Sequence, residues 1–455
     1  MKLRHFTVLF GMLACMGGTV KAQAYSLDSC LELALRNDAT IKNARIDMQM
    51  AEEDSKYAFS KYFPNITLNG AGFIAAKQLL STEIPLVSLS GTSTMPVSGR
   101  TYSTSVDAKY NLNIIRQGAI GTISAIQPVF AGGQIVNGNK LAALQKEVRS
   151  LQYGMTCDQI LQSVEDYYWQ MVSVHSNIRS LDAAEELLDS LEEVVEKFYT
   201  AGFATKSDVL AVDLKKQETA SLRIKVENGL ELLRLVLAQL TGSSLDSFSV
   251  EIPDSLSSPD SPETWFMEPA DAALSRQELT LADKAVKAEE LQTKVERGKL
   301  MPTIGVGAIA LGSYIDLQGG FEENKTANVI GLATVSIPLT DWWGGTHTVR
   351  KAKLSQAKAQ NVRDDAYSQL QMDIRSSWNS LTEAWAQIDI ARKSLESATE
   401  NLRMIREQFY VGVETTATML EAVMTYTQAQ ANLTASQATY MSCLSAYRRK
   451  TVQEQ

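Results

Sequence analysis

Few residues in this chain have the types and spacing that catalysis or metal binding needs. Beyond the N-terminal segment the histidines are His175 and His347, both on or beside long helical stretches. Neither has a second ligand at the spacing of a zinc site, so a surface or packing role is the simpler interpretation. The sequence therefore predicts no metal ion and no cofactor.

Two short patterns come close to catalytic motifs without completing them. The segment 133–140 has the glycine spacing of a phosphate-binding loop, but Asn139 precedes its lysine and no serine or threonine follows. Ser355-Gln356-Ala357-Lys358 fits the S-x-x-K pattern but lies in helical sequence without the companion motifs of that chemistry. We therefore predict no catalytic residue and a protein that is not an enzyme.

Residues 1–24 have the pattern of a secretory signal peptide. Lys2 and Arg4 precede an apolar stretch over residues 6–20, and Ala22-Gln23-Ala24 is a small-x-small cleavage site. Met12-Leu13-Ala14-Cys15 weakly resembles a lipoprotein box, so lipidation of Cys15 stays open as an alternative. In either case the sequence predicts an exported protein.

The remaining cysteines do not form a framework. Cys30, Cys157 and Cys443 are far apart in the chain and include no C-x-x-C pair. An odd, scattered set is more often buried and reduced than paired, even in an oxidising compartment. We therefore expect no disulfide.

The charge balance excludes one class of partner. The chain has 43 Lys+Arg against 52 Asp+Glu, a formal net charge of −9, and signal cleavage would make it more acidic by removing Lys2, Arg4 and Lys21. Nucleic-acid binding needs a basic patch, and binding to an anionic membrane surface needs basic clusters. We predict no nucleic-acid partner. Beyond the signal, no apolar run of ~18 residues predicts a membrane-spanning helix.

Three landmarks occur twice, in the same order. Each copy has a proline that opens an alternating stretch, a Gly-Gly pair that opens a long helix, and an aromatic–glycine turn that interrupts helical sequence. A repeat of this kind has to be recognised before other fold reasoning. It predicts a duplicated helix–hairpin–helix–helix unit. The pairs are Lys61-Tyr62-Phe63-Pro64 with Lys299-Leu300-Met301-Pro302, Gln127–Gly133 with Ile337–Gly345, and Phe198–Gly202 with Phe409–Gly412.

The repeat sets the domain boundaries. We predict a first repeat over residues 25–240, a Ser/Pro/Asp-rich linker over 241–269 and a second repeat over 270–455. Period-two alternation predicts two strands in each repeat. These strands are predicted at about 65–77, 104–129, 303–315 and 327–339, with residues 78–104 as a long loop.

The helices are too long for a globular domain. Apolar residues recur every seventh position from about Gln134 to Tyr199, which is coiled-coil spacing. About 65 residues at ~1.5 Å each make a helix of ~100 Å. Further helices are predicted at about 205–240, 346–410 and 415–450. The chain is therefore expected to form an elongated body.

Four alternating strands in an exported chain must close if they enter lipid, because no open edge survives there. Membrane barrels start at about eight strands, and an eight-stranded barrel is filled by its own side chains. Two chains would give such a plugged barrel, whereas three would give twelve strands and room for a pore. The alternative is a soluble pair of hairpins on a coiled-coil stalk.

The chain resembles the TolC family of outer membrane efflux proteins over nearly all of its mature length. No one motif is decisive, but their order and duplication are specific. The residues that carry the resemblance are Ser26-Leu27-x-x-Cys30-Leu31-x-x-Ala34-Leu35-x-Asn37, Pro64 and Pro302, Gln127-Pro128-Val129-Phe130-x-Gly132-Gly133, and Phe198-Tyr199-x-x-Gly202-x-x-Thr205-x-x-Asp208-Val209-Leu210.

The resemblance implies a mainly α fold with membrane β. Three chains would form a twelve-stranded outer-membrane β-barrel, four strands from each, above a long periplasmic α-barrel. It also implies a passive channel of a tripartite system, with a periplasmic adaptor protein and an inner-membrane pump of the RND or ABC type. The alternatives are a periplasmic coiled-coil adaptor or structural tether, and an outlet for protein secretion. No feature of the sequence separates drug efflux from protein secretion.

The resemblance assigns roles to residues near the two helical turns. Gly202 and Thr205 in the first turn, with Gly412 and Thr415 in the second, would form the periplasmic tips that dock the adaptor. The glycines permit the positive φ of a tight turn. The pore constriction would involve Glu421 and Thr418, where the family often has two acids. A solvated helix position is the alternative for Glu421.

The resemblance also implies a charged gate latch and an aromatic belt. Asp208 matches the acid of the latch, but Glu414 stands where a base is expected, so Lys206 is the candidate replacement and Tyr410 a candidate packing partner. Trp342 and Trp343, placed at the end of the last strand, are candidates for the membrane interface. A plain core cluster is the alternative for the two tryptophans.

Overall fold

The structure is a computed structural model. This structure describes residues 24–79, 84–85, 93–94, 101–102, 109–110, 115–245, 248–252, 261–317 and 324–451. Cys15, most of the predicted signal peptide and most of the predicted loop at 78–104 lie outside these ranges. Within them, none of the helices combines the length and the apolar character that crossing a membrane requires.

The elements follow the duplicated order that the sequence predicts. The strands are β1 Ala24–Tyr25, β2 Asn65–Leu79, β3 Ile84–Pro85, β4 Ser93–Thr94, β5 Thr101–Tyr102, β6 Lys109–Tyr110, β7 Ile115–Ala131, β8 Ser249–Val250, β9 Thr303–Leu317 and β10 Asn324–Ser336. The helices are α1 Leu27–Asn37, α2 Ala39–Ser60, α3 Gln134–Thr200, α4 Lys206–Thr241, α5 Pro269–Ser275, α6 Gln277–Gly298, α7 Asp341–Tyr410 and α8 Thr416–Thr451, with a 3-10 turn at Pro262–Trp265.

Four long strands form one antiparallel sheet in the order β10-β9-β7-β2. The prediction of four strands per chain in a mainly helical fold is confirmed. Five strand ends differ from the prediction by two or three residues, and one differs by more. The sheet strand predicted from about 104 begins at Ile115, because Lys109 and Tyr110 pair with β3 instead. The last strand ends at Ser336 rather than 339, just before a segment containing Pro338, which has no N–H for a ladder.

The two faces of the sheet differ in chemistry. Apolar side chains on one face are open to the surroundings, as Ile66 (68% exposed), Leu68 (76%) and Val329 (70%) illustrate. On the other face hydroxyls pair across strands: the Oγ atoms of Thr67 and Ser124 are 2.6 Å apart. An outward apolar band over a polar interior face is the pattern of membrane strands.

Each repeat contributes one very long and one shorter helix. α3 has 67 residues and α7 has 70, while α4 and α8 have 36 each. α7 begins at Asp341, five residues earlier than predicted, so Trp342 and Trp343 lie in its first turn and not in the last strand. The intervening segment 337–340 is too short and too irregular for the alternation pattern to predict where the strand ends and the helix begins.

The chain divides into two compact units. One consists of Met1–Ile41, Cys157–Phe266 and Ser377–Arg449, and the other of Lys42–Thr156, Met267–Ser376 and Lys450–Gln455. The first unit holds both buried apolar clusters and both helical turns. The second unit holds the four-stranded sheet.

Part of the predicted linker at 241–269 has regular structure. β8 runs parallel to β1, with Ala24 opposite Ser249 and Tyr25 opposite Val250. Phe248 and Val250 are 3% and 7% exposed, and the Tyr25 and Phe248 rings stack at 5.5 Å. Because the surrounding sequence is rich in serine and proline, the sequence analysis did not identify Phe248 and Val250 as buried residues.

Candidate functional site

The first helical turn ends α3 with a left-handed glycine. Gly202 has φ of 81°, its N–H donates to the Tyr199 carbonyl at 3.0 Å, and the Phe203 N–H donates to the Phe198 carbonyl at 2.8 Å. This pair of bonds is the Schellman motif, which satisfies the last carbonyls of a helix. The chain can therefore reverse direction into α4 within a few residues.

The second turn repeats this geometry at the end of α7. Gly412 has φ of 79°, its N–H donates to the Phe409 carbonyl at 3.0 Å, and the Val413 N–H donates to the Gln408 carbonyl at 2.9 Å. The tips are therefore duplicated in three dimensions as well as in sequence. Both present exposed apolar residues, with Phe203 85% and Val413 71% exposed.

Gly412→Ala should destabilise the second turn by about 1–2 kcal/mol, the cost of placing a Cβ in the left-handed region. No described atom lies within 4 Å of the added Cβ, so the cost is conformational and not steric. Gly229→Ala is the matched control, because that site inside α4 is equally open. There the change should stabilise the protein by about 0.5–1 kcal/mol. Thermal unfolding in detergent, followed by circular dichroism, should move in opposite directions for the two variants; shifts of the same sign would refute this assignment.

A capping box begins α4. The Thr205 hydroxyl accepts a hydrogen bond from the Asp208 N–H, and an Asp208 carboxylate oxygen accepts from the Thr205 N–H at 2.8 Å. The same oxygen accepts from the Thr205 hydroxyl at 2.6 Å. Bonds from the Thr205 hydroxyl and N–H, with a smaller contribution from the Thr416 hydroxyl, lower the pKa of Asp208. The Asp208 carboxylate is therefore engaged in the cap of its own helix.

Asp208→Asn should lower the thermal midpoint at pH 7 by the equivalent of about 1 kcal/mol, because charged acceptors make the stronger hydrogen bonds. Since the native pKa of Asp208 is depressed, its contribution is present above the unfolded value of about 3.9 and is lost as pH falls through the native pKa. The difference between wild type and Asp208→Asn should thus vanish at low pH. Asp213→Asn, an exposed acid on the same helix, should change little at either pH. A pH-independent difference for Asp208→Asn would show that its charge is not involved.

The second turn has a neutral counterpart of this box. The Thr415 hydroxyl accepts from the Thr418 N–H at 3.2 Å, and the two hydroxyl oxygens are 2.9 Å apart. Thr418 therefore occupies the position that Asp208 has in the first turn. Its hydroxyl is engaged in the helix cap, which distinguishes it from Glu421.

Among the described residues the charged groups of the predicted latch lie apart. Lys206 does not meet Asp208 or Glu414; its Nζ lies 5.8 Å from the centroid of the Tyr199 ring. Among the described residues none of these three charged groups takes part in an ion pair. The reason is local, since the capping box already occupies the Asp208 carboxylate. Tyr410 is 53% exposed and contacts the Phe409 ring at 6.2 Å.

An apolar core joins the two turns in place of a salt bridge. Phe409 is 4% exposed, and its ring lies 5.7 Å from that of Phe198. Val209 and Met419, from the first turns of α4 and α8, belong to the same buried cluster. The contacts described between the repeats at the tips are therefore mainly hydrophobic.

Glu421 is exposed and electrostatically isolated. It is the only charged residue in α8 before Arg448, although α4 has many charged residues. The other exposed polar side chains on α8 are neutral, as Thr425, Gln428 and Asn432 illustrate. No described cation forms an ion pair with Glu421.

Ion pairs hold α3 and α4 together in the first repeat. Lys216 of α4 lies 2.8 Å from Asp189 and 2.5 Å from Glu192 of α3, and these carboxylates raise its pKa. Arg223, further along α4, reaches Asp182 and Glu185 at 2.7 Å each. These ion pairs join α3 to α4 in the first repeat, whereas α8 has no cation before Arg448 with which to form equivalent pairs near its start.

A buried ion pair between α3 and α8 was missed in the sequence. The Arg449 guanidinium donates to both carboxylate oxygens of Glu165, at 2.9 and 2.6 Å, and the Ser445 hydroxyl donates to the same carboxylate. The side chains of Arg449 and Glu165 are 15% and 9% exposed. These residues are 284 positions apart, so no local pattern connects them.

The two tryptophans after the sheet lie in the other unit. Trp342 donates its indole N–H to the Leu300 carbonyl at 3.1 Å, which joins the start of α7 to the end of α6. Trp343 is 84% exposed. The Trp343 side chain is therefore not part of a buried core. Trp342 is 50% exposed, and its indole N–H is engaged in the hydrogen bond to Leu300.

Residues 269–443 match the family model described as outer membrane efflux protein. This match confirms the resemblance to the TolC family that the sequence motifs indicate. The protein is located in the outer membrane, and the proteins it resembles include outer membrane channels. In the described part of the chain no cluster of histidine, cysteine, aspartate or glutamate is arranged to hold a metal ion.

Individual relatives are distant but extend over almost the whole chain. The outer membrane efflux protein BepC of Brucella suis biovar 1 is 23% identical over 424 residues, covering 90% of this chain and 82% of that protein. The proteases secretion protein PrtF of Dickeya chrysanthemi is 21% identical over 451 residues, covering 95% of this chain and 88% of that protein. The crystal structure of the outer membrane protein VceC from Vibrio cholerae shares the fold at a TM-score of 0.72 and 16% identity, covering 93% of this chain and 95% of that one.

Proposed function

We propose that this protein is the outer-membrane channel of a tripartite efflux or export system, a passive conduit gated at its periplasmic helical tips. The observation that carries the proposal is the four-stranded sheet with an exposed apolar face and two unpaired edges. β2 and β10 are the edge strands, and neither has a second partner within the described chain. Such a sheet is stable in lipid only if further copies cover its edges.

Three copies provide the closure that transport needs. Pairing β10 of one copy with β2 of the next would give twelve strands, wide enough for an aqueous path. The hydroxyl-bearing face of the sheet, with pairs such as Ser313 and Thr326 at 2.6 Å, would then line that path. The helices would continue the conduit on the periplasmic side.

The helical tips suit reversible closure and docking. They are held by a hydrophobic cluster and one hydrogen-bonded acid instead of a charged latch. Exposed Phe203 and Val413 at the two turns offer apolar contacts to a periplasmic adaptor. In such a tripartite system the energy for transport would come from an inner-membrane pump.

Protein secretion is the second candidate within the same transport class. It is favoured by the similarity to PrtF, whose name assigns it to protease secretion and which this chain matches over 95% of its own length. Cargo is chosen largely by the pump, so the channel fold serves either use. The rival role as a periplasmic tether does not explain the exposed apolar face of the sheet.

The oligomeric state tests the closure directly. Native mass spectrometry of the full-length protein, released from detergent micelles, should give three copies per particle. Helical content measured by circular dichroism on the same sample serves as the folding control. A folded monomer would leave both edge strands unpaired and would contradict the channel.

A further inference from the structure

Within one chain, α3 and α6 pack against each other at the place where strands β7 and β9 are paired. Their residue numbers run in opposite directions along the contact, so the two helices are antiparallel, and the contact extends over about five turns. The residues that meet, from the sheet outward, are Gln134 with Gly298, Glu147 with Lys284, and Gly154 with Gln277. This contact defines a register for the helices that flank a pair of neighbouring strands.

The internal repeat extends this register to the seam between two copies. β10 corresponds to β7 and β2 to β9, so pairing of β10 with the next copy's β2 would set α7 beside the next copy's α2. The correspondence is fixed by Pro128 with Pro338 and by Pro64 with Pro302. Counted from these prolines, Ala357 and Ile46 take the places of Glu147 and Lys284.

The helix faces that are covered on α3 and α6 are open on α7 and α2. Leu144 of α3 is 8% exposed and Val295 of α6 is 1% exposed. Their counterparts are Leu354, which is 66% exposed, and Tyr57, which is 56% exposed. Met50, one heptad before Tyr57, is also open, at 60%. Exposed apolar faces of this kind mark an interface.

The open face of α7 is basic. Residues 342–363 contain five cationic side chains and no carboxylate, in a chain whose formal net charge is −9. Lys351 and Lys358 are seven positions apart, about two turns, which puts them on one side of the helix. Both are exposed, and no carboxylate of the described ranges forms an ion pair with either. The two lysines are therefore free to meet acids of another chain.

Two acids on α2 have the same spacing. Asp47 and Asp54 are exposed, seven positions apart, and paired with no cation in the part of the chain that the structure describes. The other two carboxylates of α2 differ, because Glu52 and Glu53 both bind Lys56. Asp47 and Asp54 are thus the acids that α2 offers to a partner.

The register brings these acids level with the lysines. Asp47 and Lys358 directly follow the two residues that replace the intrachain ion pair. One heptad nearer the sheet, Asp54 and Lys351 come level in the same way, because α2 runs towards the sheet and α7 runs away from it. Leu354 lies between the two lysines and supplies an apolar contact. The seam would thus have an apolar centre between two pairs of opposite charges.

We propose that Asp47 and Asp54 bind Lys358 and Lys351 of a second copy, and that this charge pairing decides which faces of two copies meet and in what register. A contact between two different faces of one chain closes into a ring when the rotation allows it. Opposite charges favour that contact, whereas two α2 faces or two α7 faces would repel each other. The inference rests on the proposed trimeric channel, since only ring closure brings α7 beside the next copy's α2.

Charge reversal in the full-length protein tests the pairing. Asp47→Lys with Asp54→Lys would place lysine against lysine at every seam, so the trimer fraction in detergent at low ionic strength, measured by native mass spectrometry, should fall at least about tenfold. Addition of Lys351→Asp and Lys358→Asp restores opposite charges and should return the trimer fraction to within about twofold of the wild type. Circular dichroism shows whether each variant is folded.

The matched control is Glu196→Lys with Glu396→Lys, which makes the same change in net charge at exposed glutamates outside the two faces and should leave the trimer intact. A trimeric Asp47→Lys/Asp54→Lys protein, or a fourfold variant that does not recover, would overturn the proposal. Conductance of the wild type is recorded from the same preparation. A conducting trimer that is indifferent to the reversal rejects the charged seam and leaves the channel intact, whereas a monomeric wild type rejects both.

A cross-link tests the register without changing any charge, and it serves if the charge variants do not fold. Met50→Cys with Leu354→Cys should give a covalent trimer on a denaturing gel after mild oxidation, because a disulfide forms only between closely opposed positions. Met50→Cys with Asn361→Cys, one heptad out of register, is the matched control and should cross-link several-fold less. Each single variant gives the background from the native cysteines. Equal or stronger cross-linking in the control pair would refute the register.

Discussion

Glu165→Ala should destabilise the protein by about 3–5 kcal/mol, the usual cost of removing one partner from a buried ion pair. Glu165 is 7% exposed and receives two hydrogen bonds from the Arg449 guanidinium, at 2.9 and 2.6 Å. Removal of its carboxylate leaves a largely buried cation and an unpaired Ser445 hydroxyl. We expect a fall in the thermal midpoint and weaker association of α8 with α3, measured by thermal unfolding and by amide hydrogen exchange of residues 440–450.

Two further variants test whether the loss of stability depends on burial of the ion pair or on charge pairing alone. Asp389→Ala removes an exposed ion pair with Lys393, whose side chains are 56% and 73% exposed, and should cost less than about 1 kcal/mol. The double variant Glu165→Leu with Arg449→Met replaces both charges and should recover most of the lost stability, because apolar replacements of buried pairs are often neutral. A loss in Glu165→Ala no larger than that in Asp389→Ala would mean that water reaches the pair.

Glu421→Gln should abolish most of the channel's preference for cations. In a trimer three Glu421 carboxylates would surround one axis, and no other charged residue lies on α8 before Arg448. Three carboxylates at ~8 Å in water raise the local concentration of a monovalent cation by about tenfold at low ionic strength. The cation-to-anion permeability ratio, taken from reversal potentials in a potassium chloride gradient, should therefore fall by up to about tenfold.

The control for this prediction is Glu193→Gln, which changes an exposed glutamate that Lys197 already neutralises at 2.5 Å. Its reversal potential should equal that of the wild type. Raising the salt concentration should shrink the difference between Glu421→Gln and wild type, because counter-ions screen exposed charges. An unchanged permeability ratio in Glu421→Gln would move the selective constriction to another part of the conduit.

Features set by local periodicity could be predicted from the sequence. Period-two and period-seven patterns located the four sheet strands and the long helices, because strands and coiled-coil helices impose those spacings on any sequence that forms them. The glycine turns at Gly202 and Gly412 were also predictable, since their positive φ values leave few other residues. The T-x-x-D spacing of Thr205 and Asp208 also predicts a helix-capping box. The sequence analysis assigned Asp208 to a charged latch instead.

Contacts that depend on helix register could not be predicted. Glu165 and Arg449 meet only because α3 and α8 pack at one particular register, and a single sequence contains no record of it. The same holds for the contact between the Phe198 and Phe409 rings, which joins the two repeats at the tips. Trp342 and Trp343 were misplaced because four residues, 337–340, separate strand from helix, and a segment so short has no periodicity to detect.

Planar-bilayer recording of the purified wild-type protein is the most direct test of the central claim. Folded trimers from detergent should insert and give discrete, uniform conductance steps, because twelve strands leave an aqueous path that no single chain can form. The steps should be small in the resting state, since the buried cluster around Phe409 holds the tips together. Failure of folded trimers to produce any steps, under conditions in which a known porin inserts, would contradict the channel and return the protein to the role of a periplasmic tether.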